Sequence, residues 1–352
     1  MTDRRTHAIL IERHGRPEAL VEREIALPDV GPTEVRLRVH AAGINFADLL
    51  MRAGLYDTVP PRPYSPGFEV AGQIAAVGSA VKDWREGDPA VALLRYGGYA
   101  HDVIVSTRQL FRFPTGLSAV EAAAIPVVFL TARVALLDAA GARSGETALI
   151  LGAGGGVGTA AVQLAARHGM RVIGTAGSPA KQSFVVNELG AEACYDSRGD
   201  WEPDVERLVG RRGIDVALDS VGGPATAACR RLLAPLGRLV FYGLSEAMPW
   251  QRRSWVRAGW ALARMPFIHP LSLVQQNVGI FGIHLLHLQD RDEAVLRPAL
   301  ESIYQRVLDG ELHPVIDRVF PLDRQGAVEA HHYIHERKNL GKVMLVNGRS
   351  AA

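Results

Sequence analysis

Residues Ala148–Gly169 read "ALILGAGGGVGTAAVQLAARHG". A short apolar run, a glycine turn and an alanine-rich stretch of helical character follow one another. Gly152, Gly155 and Gly158 fall at G-x-x-G-x-x-G spacing, one residue away from the usual G-x-G-x-x-G. A turn of this kind lets backbone amides and the positive end of a helix approach a pyrophosphate, and Gly158 lets the helix lie close on the strand. The uncharged part, 148–166, is roughly as long as a membrane span. It is dense in glycine, however, and has no aromatic anchor at either end, so strand, turn and helix account for it better.

The same alternation continues outward. "TALILG" (147–152) leads to a helix from Val157 to His168, and "RVIGTA" (171–176) to one from Pro179 to Leu189. "DVALDSVG" (215–222) precedes a helix near 224–234, and "GRLVFYG" (237–243) and "NVGIFGI" (277–283) are further strands. Continuous apolar strands between amphipathic helices predict a parallel sheet covered on both faces, an α/β fold. Upstream, "SAVEAAAIPVVFLTARVALLDAAG" (118–141) has helical spacing, with Ser118 as N-cap and Glu121 completing a capping box. Residues 1–120 are β-rich. In "EVRLRVH" (34–40), Val35, Leu37 and Val39 alternate with Arg36, Arg38 and His40, as in a half-buried strand. "FEVAGQIAAVG" (68–78) and "YAHDVIVS" (99–106) are strands, "PPRPYSPG" (60–67) is a rigid loop, and frequent Gly and Pro predict a small, curved sheet or barrel. The tail, 315–346, returns to mixed strand and helix and is expected to pack on the first part. There are no internal repeats and no low-complexity tract.

With 352 residues and 48% hydrophobic composition, the chain can form two domains with real cores. A net charge of +2 gives no field for nucleic acid. Two cysteines, Cys194 and Cys229, lack CxxC spacing and fit a reducing cytoplasm. "MTDRRTHAILIERHG" has no apolar core long enough for a secretory signal. His331, His332 and His335 offer two imidazoles on one helical face but no evident third zinc ligand. Residues 248–270 carry three tryptophans and four arginines, with Arg253, Arg257 and Arg264 on one helical face. That pattern suits contact with a membrane surface; its commoner meaning is a lid or partner-contact helix.

The end of the second strand selects the cofactor. An NAD site wants an acid there for the ribose 2′-hydroxyl. The chain instead has "GTAGSPAK" (174–181), with small Thr175 and Ala176, then Ser178 and Lys181. A hydroxyl and an ammonium attract a 2′-phosphate, which favours NADPH. Ser178 also reads as the N-cap of the next helix, and the two roles are compatible.

The segments "GINFADLLMRAGLYD" (43–57), "PGFEVAG" (66–72), "AAAIPVVFLTA" (122–132), "GGGVG" (154–158), "DVALDSVGG" (215–223), "GRLVFYG" and "NLGKVMLV" (339–346) carry a resemblance. Over nearly its full length the chain resembles the medium-chain dehydrogenases/reductases. The resemblance implies a GroES-like β-barrel catalytic domain with a Rossmann doubly wound parallel-sheet domain. Residues 1–127 would begin the catalytic domain, 128–288 form the NADPH-binding Rossmann domain with a lid insertion at 248–276, and 289–352 return to the catalytic domain. In the zinc alcohol dehydrogenases of that family the first loop reads G-x-C-x-x-D, its Cys binding catalytic zinc, and a G-H-E motif supplies a His. Asn45 and Phe68 stand at those two positions, and neither has the softness zinc requires. The four closely spaced cysteines of the structural zinc lobe are also missing, so a zinc-free protein is expected.

What remains looks like the zinc-independent quinone oxidoreductase branch, and within it the synaptic vesicle membrane protein homologues. "NFADLLMRAGLYDTVPPRP" (45–63) and the Trp- and Arg-rich insertion followed by "NVGIFGIHL" (277–285) are similar to theirs. "GDPA" (87–90) departs from the usual G-D-R-V at a surface turn. Ser197 stands where the branch often has Tyr near the 2′-phosphate, with Ser197 and Arg198 taking that part. "AIPVVFLTA", "AAVQLAARHG" and Ser197-Arg198 are also similar to polyketide enoyl reductase domains, which usually lack the 248–276 insertion.

Without a metal, alcohol oxidation is disfavoured. Reduction of an activated alkene or quinone needs a nicotinamide, positioning, and a donor or water for the carbonyl oxygen. By resemblance, Asn45 and Thr131 border the nicotinamide and its ribose. Tyr56 lies over the substrate side, either as proton donor or as aromatic wall. Asp48 reads as a structural acceptor. Gly155, Gly156 and Val157 would meet the pyrophosphate, while Thr175, Ser178, Lys181, Ser197 and Arg198 serve the 2′-phosphate end. Tyr242 and Gly243 would lie along the ribose, Phe281 and Ile283 against the nicotinamide, and Gly341 and Lys342 near the cleft rim. Three functions follow: an NADPH-dependent quinone or enone reductase, an enoyl-thioester reductase, or an NADPH-binding interaction protein with little turnover. The resemblance implies a homodimer.

Overall fold

A computed structural model describes residues 5–56, 59–245, 268–291 and 293–348. The lid and membrane-surface readings of 248–270, with Arg253, Arg257 and Arg264, fall for the most part outside these residues. Along the chain come β1 (Arg5–Ile11), β2 (Leu20–Ala26), β3 (Glu34–Ile44), β4 (Glu69–Val77), β5 (Pro89–Leu93), β6 (Asp102–Ser106) and β7 (Leu110–Phe111). Then follow β8 (Thr147–Ile150), β9 (Arg171–Ala176), β10 (Ala193–Asp196), β11 (Ile214–Asp219), β12 (Leu233–Phe241) and β13 (Gly279–Gly282), with β14 (Ile316–Pro321) and β15 (Lys342–Val346) last. The described residues up to Val127 and from Gln289 onward form one unit, and those from Val128 to Leu288 the other.

In unit one, β1 and β2 form an antiparallel ribbon. A seven-stranded sheet has the order β14-β15-β3-β4-β5-β7, with β6 also pairing with β3. The long strand β3 buries Val35, Leu37 and Val39 completely, as the two-residue period requires. Its register with β4 slips between Arg36 and Leu37 and again between Val39 and Ala41. Such irregularities bend a strand and give the sheet its curvature.

Unit two contains one parallel sheet in the order β10-β9-β8-β11-β12-β13. Counted by order of appearance this is 3-2-1-4-5-6, so the connections diverge at β8. Helices Gly156–Arg167, Pro179–Asn187, Glu202–Val209 and Pro224–Leu232 link the strands. Leu149, Ile173, Ala217 and Leu239 from four strands are fully buried with Val205 and Cys229 from the covering helices. Each large aliphatic side chain removed from water in this way stabilises the fold by about 1.5–3 kcal/mol.

The segment 118–141 is not one helix. Ser118 caps Ala119–Ala123, accepting from Glu121 N at 3.2 Å while Glu121 Oε2 accepts from Ser118 N at 2.8 Å. A second helix starts at Pro126, because proline has no N–H to continue the first but suits a first turn. The strand Ala193–Asp196 carries no period of its own; parallel pairing with β9 makes it a strand. Burial pushes the Cys194 thiol up to about 12 and raises that of Cys229 as well, so both unpaired cysteines are poor nucleophiles.

Candidate functional site

Strand β8 ends at Ile150 and the helix Gly156–Arg167 begins six residues on. Gly152 turns the chain with φ +66°, in the left-handed region that favours glycine. Gly152 N donates to Thr175 Oγ1 at 3.3 Å, and Ala153 N donates to Thr175 O at 2.8 Å. A Cβ on Gly158 would lie 2.2 Å from Gly152 O, so only glycine lets helix and loop approach this closely. The N-cap, Gly155, has no side chain to satisfy the first-turn amides, and Gly155, Gly156 and Val157 are partly exposed. Amide donors at the positive end of a twelve-residue helix fit a pyrophosphate.

Thr175 is 1% exposed, and its hydroxyl and carbonyl oxygens hold the glycine loop, so it positions the cradle. Ser178 caps the helix Pro179–Asn187, accepting from Lys181 N at 3.4 Å. The Lys181 stem lies beside the loop, its Cβ and Cδ each 3.2 Å from an ideal Cβ at Gly154. Ser197 N donates to Ala176 O at 3.1 Å, which sets Ser197 beside the end of β9. Arg198 is already engaged. Its guanidinium grips the exposed Asp196 carboxylate (Nε–Oδ1 3.1 Å, Nη2–Oδ2 3.3 Å) and holds that carboxyl below its ordinary range. Asp196 escaped the sequence reading because its strand did.

At the end of β11, the fully buried Asp219 accepts from Val221 N and Gly222 N through Oδ1 and from Thr226 Oγ1 through Oδ2. It shapes the turn into the next helix. Tyr242 N donates to Asp219 O at 3.0 Å, and an added Cβ on Gly243 would lie 3.1 Å from Ser220 O. Burial raises the Tyr242 phenol, with the Ser220 hydroxyl as hydrogen-bond partner. The glycine loop, Ser178, Lys181, Ser197, Tyr242 and Gly243 thus gather at the carboxyl ends of neighbouring strands. Phe281 lies on the edge strand β13, 41% exposed, and Ile283 N donates to Phe241 O just beyond it. Thr131 is buried in the helix Pro126–Arg133.

Unit one holds a separate polar cluster. Asn45 follows β3 and opens the helix Phe46–Ala53; its N–H donates to Asp48 Oδ2 at 2.7 Å, and Asp48 Oδ1 accepts from Gly67 N at 2.8 Å. Asp48 is the structural acceptor expected. Asn45 Nδ2 donates to Glu69 Oε1 at 2.9 Å, and Glu69 Oε2 accepts from Val127 N at 2.7 Å. The Lys342 ammonium donates to Asn45 Oδ1 at 2.6 Å and to Ile44 O at 2.9 Å, and lies 2.5 Å from Glu69 Oε1. Glu69 is 0% and Lys342 3% exposed, so the expectation of Lys342 at a cleft rim is corrected: its charge is spent internally. Gly43 makes this possible. It stands opposite Glu69 in the β3–β4 ladder, and a Cβ there would come within 2.4 Å of Glu69 Oε1. Gly341 precedes Lys342 with φ +81°. The sequence signals for Glu69 were a carboxylate at the start of a largely apolar strand and its place at the Glu of the G-H-E motif.

The half-buried Tyr56 ring sits 5.8 Å from that of buried Phe68, inclined at 59°, as an aromatic wall would. Among the described residues, no three His, Cys, Asp or Glu side chains cluster as a metal site requires. His331 is buried with Nε2 at 3.2 Å from the Tyr99 hydroxyl, whereas His332 pairs with Glu18.

Burial pushes the Asp48 carboxyl up to about 7, outweighing the amides of Asn45 and Gly67 and the charge of Lys342. The native state therefore binds this proton more tightly than the unfolded chain, whose value is near 3.8. The associated stabilisation is complete below about pH 4 and is lost as the pH rises to about 7. The melting-temperature gap between the parent and Asp48→Asn is expected to shrink over that range. Thermal melts of both proteins across it check this, and a gap that widens with pH would reject it.

Comparison with known proteins adds context to this geometry. The family described as alcohol dehydrogenase GroES-like domain matches residues 31–115, and that described as zinc-binding dehydrogenase matches residues 189–345. The synaptic vesicle membrane protein VAT-1 homolog of Rattus norvegicus is 36% identical over 332 residues, covering 94% of this chain and 80% of that protein. The structure of Escherichia coli quinone oxidoreductase complexed with NADPH superposes with a TM-score of 0.85 at 26% identity, covering 97% of this chain and 99% of the other. The CurK enoyl reductase superposes with a TM-score of 0.83 at 28% identity, covering 98% and 100%.

Proposed function

The chain belongs to the medium-chain dehydrogenase/reductase family, and on that premise we propose that it is a metal-free, NADPH-dependent reductase of quinones or α,β-unsaturated carbonyls. The observation that carries this reading is the glycine loop, with its uncapped helix terminus, beside Ser178, Lys181, Ser197 and Arg198. The likeness to a quinone oxidoreductase solved with NADPH supports it. Bound NADPH supplies the hydride. The loop amides would hold the pyrophosphate, Lys181 and Ser178 would meet the 2′-phosphate, and Arg198 would divide its charge between that phosphate and Asp196. With an enone as acceptor, that hydride would go to the β-carbon and a proton from water to the α-carbon, and the chain's own residues would orient the acceptor. Asn45 and Tyr56 offer donors toward the carbonyl oxygen on which charge collects. Asn45 and Phe68 in place of zinc ligands, with an ammonium on the neighbouring oxygens, support metal-free chemistry. A homodimer in the cytoplasm acting on a small molecule completes the proposal.

Purified protein is expected to oxidise NADPH with at least one member of a panel of small enones and quinones. No turnover above background would sink the reading and favour a coenzyme-binding interaction protein. Lys181→Ala should weaken NADPH binding about tenfold or more while leaving NADH binding nearly unchanged, since one charge-assisted bond contributes about 1.5–3 kcal/mol. Equal losses for both coenzymes would reject Lys181 as a phosphate partner. The CurK likeness supports a second reading, an enoyl-thioester reductase, which a preference for carrier-bound over free enones would reveal.

A further inference from the structure

The Lys342 ammonium has three acceptors for its three hydrogens, Ile44 O, Asn45 Oδ1 and Glu69 Oε1, in an almost fully buried setting. These oxygens form the kind of cage a small cation would take, and here the cation is tethered to the chain. The cage also removes the two-fold ambiguity of an amide. Turning Asn45 over would set its NH₂ against the ammonium and its oxygen against the Glu69 carboxylate, so charge fixes the orientation. One Nδ2–H is used by Glu69 Oε1 and the other is directed away from that carboxylate. Asn45 keeps 8% of its surface exposed, whereas Glu69 keeps none. An ammonium on Oδ1 draws electron density from the amide, and hydrogen bonds in a chain polarise one another.

We propose that Lys342 is a positioning residue: caged with Glu69, it fixes and polarises the Asn45 amide so that the remaining N–H donates to the carbonyl oxygen during hydride delivery. The role rests on the reductase reading above. It assigns the buried pair a task in the reaction beyond holding the strands together. Removing both charges leaves the cage neutral, so stability and rate separate.

The test uses the full chain. Glu69→Gln/Lys342→Met is expected to melt within a few degrees of the parent. Its kcat with a small enone should fall about tenfold or more, with the KM for NADPH changed less than about twofold. Lys342→Ala opens a gap lined by the three oxygens. Methylammonium, which can donate, should raise both its melting temperature and its kcat, and tetramethylammonium should raise neither. A double variant with parental stability and parental kcat would overturn the proposal. So would methylammonium restoring the stability of Lys342→Ala without moving kcat, which also decides the matter if the double variant does not fold. A parent inactive with every acceptor overturns the reductase reading and this role with it; an active parent with an unaffected double variant overturns the role of Lys342 alone.

Discussion

Replacing Gly158 by alanine is expected to lower NADPH affinity at least about a hundredfold. An alanine Cβ would stand 2.2 Å from Gly152 O, 2.7 Å from Ala153 Cα and 2.8 Å from Ala153 C. All three are backbone atoms, so no side-chain rotation relieves the overlap, and the loop must move away from the helix. Thr175 resists that movement through Gly152 N and Ala153 N. Hydrogen bonds from the loop and helix amides tolerate only a few tenths of an ångström in donor–acceptor distance. Losing two bonds to a charged pyrophosphate costs about 3–6 kcal/mol, which corresponds to the loss of affinity stated. Fluorescence titration with NADPH on folded protein, verified by circular dichroism, makes the measurement. Parental affinity in Gly158→Ala would contradict the account.

Glu69→Ala is expected to destabilise unit one by about 3–5 kcal/mol, the range for removing one member of a buried ion pair. The carboxylate accepts from Asn45 Nδ2 and Val127 N and faces the Lys342 ammonium, and none of its surface is exposed. Truncation leaves a buried ammonium with only neutral oxygens and opens a void behind Gly43. Each unsatisfied buried donor adds about 1–3 kcal/mol, partly relieved where water enters. Urea denaturation monitored by fluorescence measures the shift. A variant within about 1 kcal/mol of the parent would mean that the pair does not hold the site together.

Much of the coenzyme half was legible in the chain because it is local. Strand, glycine turn and helix occupy one continuous run, and Ser178 and Lys181 follow the next strand by only a few residues. Period and turn chemistry act over such distances, which is why the helix limits shifted by no more than one or two residues around the loop. The sequence misled where a neighbour decided the outcome. Thr175 is engaged by the loop through Gly152 N and Ala153 N, because β9 lies beside β8. Arg198 meets Asp196 first, because two residues at the end of a short strand share one surface.

By itself the sequence determined the class of fold, the order of its parts and the absence of sulfur and imidazole at positions 45 and 68. These follow from backbone geometry and side-chain chemistry that each residue carries wherever it sits. Only the tertiary structure decided that residues 44, 45, 69, 127 and 342 share one cage. Antiparallel registers set Glu69 opposite Gly43 and Val343 opposite Ile44. A buried charge then takes whichever oxygens the ladder brings within reach, and no local pattern records which those are.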